Sequence, residues 1–161
     1  MERNSVTTLP AKKRVRALLV EDDIELSTVM EQVLKAVAPN LTLDWVTSAE
    51  EAMTRLDEVF YNKTPNPYDF IIADIFLDGE STGIDFWRSC QEILPGTPVL
   101  ITSALSLDRF FATVGQDSIS PPYLQKPFSP TECKLVFESL LGTRAAWKWS
   151  PDTWETAEWE N

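Results

Sequence analysis

The chain has 161 residues, a formal net charge of −11, 43% hydrophobic residues and no histidine. This length suits one domain with a substantial core, and the missing histidine excludes a Ser-His-Asp triad, a His-ligated zinc site and a phosphohistidine on this chain. The acidic charge argues against direct DNA binding, and no apolar run is long enough to span a bilayer, so we expect a cytoplasmic protein that does not insert into membranes.

Strand and helix patterns alternate five times along the chain. The first half predicts strands and helices in this order: strand Val15–Val20, helix Ile24–Val37, strand Leu41–Val46, helix 48–60 and strand Phe70–Asp74. The second half predicts helix 84–94, strand 98–102, helix Leu107–Val114, strand Tyr123–Gln125 and a helix from Ser129 to Leu141 that Gly142 stops. Short apolar strands between amphipathic helices indicate an α/β fold with a parallel sheet covered on both faces. We therefore predict a flavodoxin-like (βα)5 three-layer sandwich whose five strands lie in the order 2-1-3-4-5.

Helical spacing predicts which side chains of the first two helices face the core. The apolar positions of the first helix are Leu26, Val29, Met30, Val33 and Val37, and those of the second are Ala49, Ala52, Met53, Leu56 and Phe60. Ser48 and Ser129 are in N-cap positions. Cys90 and Cys133 fall in predicted helices without metal-type spacing, so we expect reduced core thiols.

Carboxylates follow two of the predicted strands. Asp74 ends the third strand, and Glu21, Asp22 and Asp23 follow the first. In the predicted strand order these ends are neighbours, so several negative charges would crowd together, which is unfavourable unless a cation lies among them. A single Asp after a strand more often caps a turn, so the metal-site prediction depends on the whole group.

The two ends of the chain differ from the middle. We divide the sequence into a basic N-terminal arm (1–15), a central domain (16–142) and an acidic, Trp-rich C-terminal extension (143–161). The arm, with Lys12 and Lys13, is either a solvated tail or a nucleic-acid contact. The extension holds four of the six tryptophans, Trp147, Trp149, Trp154 and Trp159. These rings could pack on the central domain, bind a partner or lie in a disordered segment.

Four motifs end successive predicted strands, and together they carry a family resemblance. The motifs are Leu-Leu-Val-Glu21-Asp22-Asp23, then Asp74, then Ile-Thr-Ser103-Ala, and finally Tyr123-Leu-Gln-Lys126-Pro127-Phe128. In this order and at this spacing, residues 16–141 resemble a response-regulator receiver domain of bacterial two-component signalling.

The resemblance implies a phosphorylation site. Asp74 matches the phosphoacceptor, whose carboxylate attacks the phosphorus of a phosphohistidine on a histidine kinase or a phosphotransfer protein. Glu21 and Asp22 match the acidic pair that holds Mg²⁺ with Asp74 and the main-chain carbonyl of Phe76. Asp22 and Asp23 are the alternative pair, with Asp23 otherwise in the first turn of the helix.

The same resemblance assigns roles to residues after the last two strands. Lys126 matches the lysine that contacts the phosphoryl group, and its bond to Pro127 is implied to be cis. Ser103 matches the hydroxyl that binds the phosphoryl group, with Thr102 as the alternative. Tyr123 matches the aromatic switch residue, although it could simply pack in the core.

The sequence departs from the family pattern in two loops. Asp78 stands where the family usually has proline, and one extra residue precedes Gly83. Phe76 and Leu105 are apolar where hydrolytic water would approach, so we hypothesise a long-lived phosphoryl form. Residues 115–122 lack the usual approach to the last strand, which puts the common dimer mode in doubt.

We therefore predict a single-domain receiver that switches protein–protein contacts with a downstream target, as a monomer or a phosphorylation-dependent dimer. Its only reactions would be its own phosphorylation and dephosphorylation, so we do not expect a turnover enzyme. The alternatives are a non-phosphorylated scaffold or adaptor and the excised receiver of a larger regulator or hybrid kinase. A phosphatase would need a second Asp at Phe76, and a nucleotide carrier would not place Glu21, Asp22 and Asp23 beside phosphate.

Overall fold

The computed structural model describes residues 14–63, 67–115 and 119–142, in which strands and helices alternate. The first half contains β1 (Val15–Val20), α1 (Ile24–Val37), β2 (Leu41–Val46), α2 (Ala49–Tyr61) and β3 (Phe70–Asp74). The second half contains α3 (Gly83–Ile93), β4 (Val99–Ser103), α4 (Leu107–Val114), β5 (Tyr123–Gln125) and α5 (Pro130–Gly142). All strand pairs are parallel, in the order β2-β1-β3-β4-β5, so the predicted flavodoxin-like α/β fold is confirmed.

The apolar side chains of each central strand alternate between two core clusters, because successive residues of a strand point to opposite faces of the sheet. Leu18 and Val20 of β1 lie in the cluster that α2, α3 and α4 cover. Ala17 and Leu19 lie in the cluster that α1 and α5 cover. The two clusters together give the sheet a helical layer on each face, as predicted.

The register of the strands brings their carboxyl ends to one edge of the sheet. Val20 at the end of β1 is paired with Val46 of β2 and Ala73 of β3, and Asp74 is paired with Thr102 of β4. Residues that follow these positions therefore converge, as expected for an open parallel sheet.

The helix starts at Ser48 and Ser129 agree with the cap positions predicted from the sequence. The Ser48 hydroxyl accepts from the amide of Glu51 at 3.1 Å. The Ser129 hydroxyl accepts from the amide of Glu132 at 3.1 Å, and the Glu132 carboxylate accepts from the amide of Ser129 at 2.7 Å. Each cap satisfies amide groups that the helix itself leaves without partners.

Two residues predicted to face the core are exposed instead. Val29 is 40% exposed, because the buried stripe of α1 runs through Ser27, Met30 and Leu34 and leaves Val29 on its flank. Phe60 is 60% exposed, because Val59 packs against the core in the last turn of α2.

Several predicted boundaries are also off by one residue. Helices α2 and α3 and strand β4 are displaced by about one position from 48–60, 84–94 and 98–102. Gly142 was expected to stop α5, but it is the last residue of that helix.

Parts of the predicted terminal segments lie outside the described residues. These parts are residues 1–13 of the basic arm, which include Lys12 and Lys13, and the whole extension 143–161 with its four tryptophans. Cys90 and Cys133 are buried free cysteines, as expected. In the part of the chain that the structure describes, no helix is long and apolar enough to cross a membrane.

Candidate functional site

An ammonium group bridges two buried carboxylates where β1, β3 and β5 end. The Nζ atom of Lys126 donates to Oε2 of Glu21 and to Oδ2 of Asp74, each at 2.9 Å. Glu21 is 1% exposed and Asp74 is 6% exposed, so both carboxylates are largely withdrawn from water. The three side chains come from residues up to 105 positions apart in the sequence, and only the topology of the sheet brings them together.

The backbone around Glu21 is held by hydrogen bonds from both neighbouring segments. Its amide donates to the carbonyl of Val46 at 3.0 Å, and its carbonyl accepts from the indole of Trp45 at 2.7 Å. Its second carboxylate oxygen, Oε1, accepts from the amide of Asp23 at 3.1 Å. Glu21 therefore presents its carboxylate to the site in one fixed position.

The structure separates the roles of Asp22 and Asp23. Asp23 is the N-cap of α1 and accepts from the amide of Leu26 at 3.0 Å. Asp22 instead turns toward the third strand end, where Oδ2 accepts from the amide of Asp78 at 3.2 Å. One carboxylate oxygen from each of Glu21, Asp22 and Asp74 lies within 4.8 Å of the other two. The cluster that could hold a cation thus contains Glu21 and Asp22, and Asp23 serves the helix.

The charges of this cluster fit a divalent cation. Three carboxylates and one ammonium carry a net charge of about −2, which one Mg²⁺ would neutralise, and Mg²⁺ prefers carboxylate oxygens. Burial raises the pKa of Glu21 and of Asp74 above their usual values, although the hydrogen bonds from Lys126 act in the opposite direction. Burial alone would lower the pKa of Lys126, but its hydrogen bonds to Asp74 and Glu21 outweigh this and raise it. The ammonium is therefore charged at neutral pH, and a nearby cation would favour the ionised carboxylates.

Gly83 fixes the position of the Asp74 backbone. A Cβ atom on Gly83 would lie 1.9 Å from the carbonyl oxygen of Asp74, so only glycine allows α3 to start this close to the end of β3. The amide of Gly83 donates to the carbonyl of Ile75 at 3.0 Å. The amide of Phe76 lies 3.4 Å from Oδ1 of Asp74, a long hydrogen bond that leaves this oxygen weakly held.

The loop after Asp74 is anchored to the first turn of α2. The Glu50 carboxylate accepts from the amides of Glu80 and Ser81 at 2.9 Å and 2.7 Å, and these hydrogen bonds, that of Ser81 first, lower its pKa. Gly79 has φ of 104° and lies against this carboxylate. Sequence reasoning missed Glu50, since nothing local in the sequence links it to amides about thirty residues away.

The predicted hydroxyl and aromatic switch residues are Ser103 at the end of β4 and Tyr123 at the start of β5, and both contact the loop between β4 and α4. The buried Ser103 accepts from the amide of Leu105 through Oγ at 3.1 Å. The Tyr123 hydroxyl donates to the carbonyl of Leu105 at 2.6 Å and to that of Ser103 at 3.0 Å. The Tyr123 ring is buried and stacked on Phe110 with centroids 4.0 Å apart. Tyr123 therefore both packs in the core and holds the loop of Ser103.

Lys126 and the two apolar flanking residues complete the surroundings of Asp74. The amide of Lys126 donates to the carbonyl of Ser103 at 2.7 Å, and the Lys126-Pro127 bond is cis, as the resemblance implied. Phe76 is 59% exposed, two residues after Asp74, whereas Leu105 is half-buried and packs against the core cluster. The main-chain carbonyl of Phe76 as a metal ligand stays a prediction.

Comparisons with known proteins bear on the fold of this chain and not on the geometry of its site. No protein-family model matches the sequence. No curated protein matches it either.

Solved structures match most of the chain. A response regulator receiver protein from Sinorhizobium medicae is 23% identical with a TM-score of 0.66, covering 83% of this chain and 99% of that one. A signal receiver domain of an HD domain-containing protein from Pseudomonas fluorescens is 18% identical with a TM-score of 0.68, covering 86% and 95%. A phosphorylated cyanobacterial phytochrome response regulator is 17% identical with a TM-score of 0.61, covering 80% and 91%. The chain therefore has the fold of response regulator receiver domains.

Proposed function

We propose that this chain is a phosphoacceptor receiver of two-component signalling, in which Asp74 accepts a phosphoryl group from a histidine kinase or a phosphotransfer protein. The observation that carries the proposal is the bridge from Lys126 to Glu21 and Asp74, with Asp22 completing a cluster of three carboxylates. A structure with the same fold was solved in its phosphorylated form, which supports this reading of the site.

The two oxygens of Asp74 differ in a way that suits nucleophilic attack. Oδ2 accepts a short hydrogen bond from Lys126, whereas Oδ1 has only the long contact to the amide of Phe76. Oδ1 therefore attacks the phosphorus of the donor, and its new O–P bond replaces the P–N bond of the phosphohistidine. The departing imidazole nitrogen keeps the electron pair, and Asp74 becomes an acyl phosphate.

The charges around Asp74 stabilise the group in transfer. Glu21, Asp22 and Asp74 would hold Mg²⁺, which would supply positive charge to the phosphoryl group during transfer. Lys126 neutralises a further negative charge, because its ammonium donates hydrogen bonds to both Asp74 and Glu21. Burial of Glu21 and Asp74 strengthens these interactions by excluding water.

The output of the reaction is a change in the loop between β4 and α4. The Ser103 hydroxyl turns toward the new phosphoryl group, and this movement weakens its contact with the amide of Leu105. Because the Tyr123 hydroxyl donates hydrogen bonds to the carbonyls of Ser103 and Leu105, this loop and the Tyr123 ring move together. The surface formed by α4 and β5 thereby changes its affinity for a downstream protein. In this proposal the protein is a switch and not a turnover enzyme.

Intact-mass measurement tests the proposal directly. Incubation with acetyl phosphate and Mg²⁺ is expected to add about 80 Da, the mass of one phosphoryl group. Asp74→Asn should abolish the gain, whereas Asp57→Asn, on the exposed face of α2, should retain it. An unmodified wild-type protein would refute the proposal and favour a scaffold that has only the fold.

A further inference from the structure

One segment outside the carboxylate cluster holds the backbone of a residue that belongs to it. This segment is residues 45–50, the end of β2 and the start of α2, and we call it the β2–α2 corner. The carbonyl of Val46 accepts from the amide of Glu21 at 3.0 Å, and the indole of Trp45 donates to the carbonyl of Glu21 at 2.7 Å. The corner therefore fixes the first of the three carboxylate residues.

The same corner holds the β3–α3 loop (75–82) through one carboxylate oxygen. Oε1 of Glu50 accepts from the amide of Glu80 at 2.9 Å and from that of Ser81 at 2.7 Å. Gly79, directly before these two residues, has φ of 104°, which glycine adopts without strain. A Cβ atom on Gly79 would lie 2.5 Å from Oε2 of Glu50, so glycine also allows this close approach.

The β3–α3 loop in turn reaches the cluster through the amide of Asp78. This amide donates to Oδ2 of Asp22 at 3.2 Å, and Asp78 also forms an isolated parallel β-bridge with Ser48 of the corner. A carboxylate has about four lone-pair sites, so this hydrogen bond leaves Asp22 able to bind a cation. It also fixes the direction of the carboxylate, and hydrogen bonds to metal ligands raise metal affinity in this way.

We propose that Glu50 is a positioning residue for the cation site, because it holds the β3–α3 loop where the amide of Asp78 reaches Asp22. The inference rests on the proposed function, since it requires Mg²⁺ in the cluster. Without the two hydrogen bonds to Glu50, the loop gains conformational freedom and Asp22 loses the donor that orients it. Mg²⁺ must then order this carboxylate as it binds, and this cost lowers the affinity.

Three variants separate the hydrogen bonds of Glu50 from its charge. Glu50→Met removes the acceptor and the charge at similar side-chain length. Glu50→Gln removes the charge but keeps an amide oxygen that accepts from both loop amides. Glu51→Met is the matched control, because it removes one charge from the same turn of α2. The Glu51 carboxylate accepts from the amide of Thr47 at 3.2 Å, which lies in the corner and not in the loop.

Calorimetric titration of the full chain with Mg²⁺ measures the effect, after circular dichroism has shown that each variant is folded. Glu50→Met should weaken Mg²⁺ binding by about threefold to tenfold, the worth of about one hydrogen bond. Glu50→Gln should bind Mg²⁺ nearly as tightly as the wild type. Glu51→Met should also bind like the wild type, although the start of α2 loses a hydrogen bond.

Three results would overturn the role of Glu50. The first is wild-type affinity in Glu50→Met. The second is equal weakening in Glu50→Gln and Glu50→Met, because the charge of Glu50 and not its hydrogen bonds would then set the affinity. The third is equal weakening in Glu51→Met and Glu50→Met, because any disturbance at the start of α2 would then be sufficient.

Intact mass after treatment with acetyl phosphate separates this inference from the function on which it rests. A wild-type protein that binds Mg²⁺ but gains no mass would overturn phosphorylation of Asp74, while the titrations would still decide the role of Glu50. A wild-type protein that binds no Mg²⁺ would overturn the cation site and the role of Glu50 together.

Discussion

The variant Gly83→Ala tests whether the start of α3 must lie as close to the backbone of Asp74 as it does in the structure. A Cβ at this position would lie 1.9 Å from the Asp74 carbonyl oxygen and 2.7 Å from its carbonyl carbon. The first distance is about 1.5 Å short of ordinary contact, and both atoms belong to the backbone, so no side-chain rotation relieves the overlap. The start of α3 or the end of β3 must move.

The magnitude follows from two opposing effects. Replacing glycine by alanine in a helix usually stabilises it by about 0.5–1 kcal/mol. Overpacking against a buried backbone costs about 1–3 kcal/mol, and occasionally more. We expect Gly83→Ala to lower the free energy of unfolding by about 1–2 kcal/mol and to displace the Asp74 carboxylate.

Gly96→Ala is the matched control. No atom lies within 4 Å of a Cβ built on Gly96, and its backbone is not in the left-handed region. This variant should be neutral or slightly stabilising. Urea unfolding followed by circular dichroism gives the free energy of unfolding of both variants. Intact mass after acetyl phosphate treatment shows whether Asp74 is still phosphorylated. Equal unfolding free energies for the two alanine variants would refute the reasoning on close approach.

Three further predictions concern an ion pair, the lifetime of the phosphoryl group and a helix cap. Burial alone would raise the pKa of Asp44, but hydrogen bonds from Tyr68 and Arg16 hold it below its usual value. Asp44→Asn should therefore lower the free energy of unfolding by about 1–2 kcal/mol at neutral pH. The difference from the wild type should shrink as the pH falls through the lowered pKa of Asp44, because the carboxylate then becomes protonated. A difference in urea unfolding that does not depend on pH would contradict this. Phe76→Asn should speed the loss of the phosphoryl group in a mass time course without lowering the unfolding midpoint. Leu105→Asn should speed this loss and also lower the unfolding midpoint, because Leu105 packs on the core. An unchanged time course for Phe76→Asn would contradict the hypothesis that these side chains shield the phosphoryl group from water. Thr82→Ala removes the capping hydroxyl of α3 and should cost about 1 kcal/mol, so an unchanged midpoint would contradict the cap.

The sequence was sufficient to predict the fold and the convergence of the charged side chains. Each strand is a short apolar run, and the helices between them imply parallel pairing. Glu21, Asp74 and Lys126 each follow such a run, so topology alone brings them to one edge. The prediction succeeded because it depended on regular secondary structure and on no side-chain detail.

Contacts of individual side chains with residues distant in the sequence could not be predicted from the sequence. Glu50 anchors the loop after Asp74 through amides about thirty residues away, and no local pattern marks such a contact. The buried Thr102 hydroxyl has no hydrogen-bond partner among the described residues, and this depends on its neighbours across the sheet. Helical spacing predicted burial for Val29 and Phe60, but the width of the buried stripe and the end of α2 left both exposed.

The central claim is that Glu21, Asp22 and Asp74 form one cation site beside Lys126, and calorimetric titration with Mg²⁺ tests it most directly. Asp22→Asn should weaken Mg²⁺ binding by about tenfold or more, because it removes one of three carboxylates from the cluster. Asp23→Asn should bind like the wild type, because Asp23 caps α1 and asparagine caps a helix equally well. Equal weakening by both variants, or no binding by the wild type, would contradict the account.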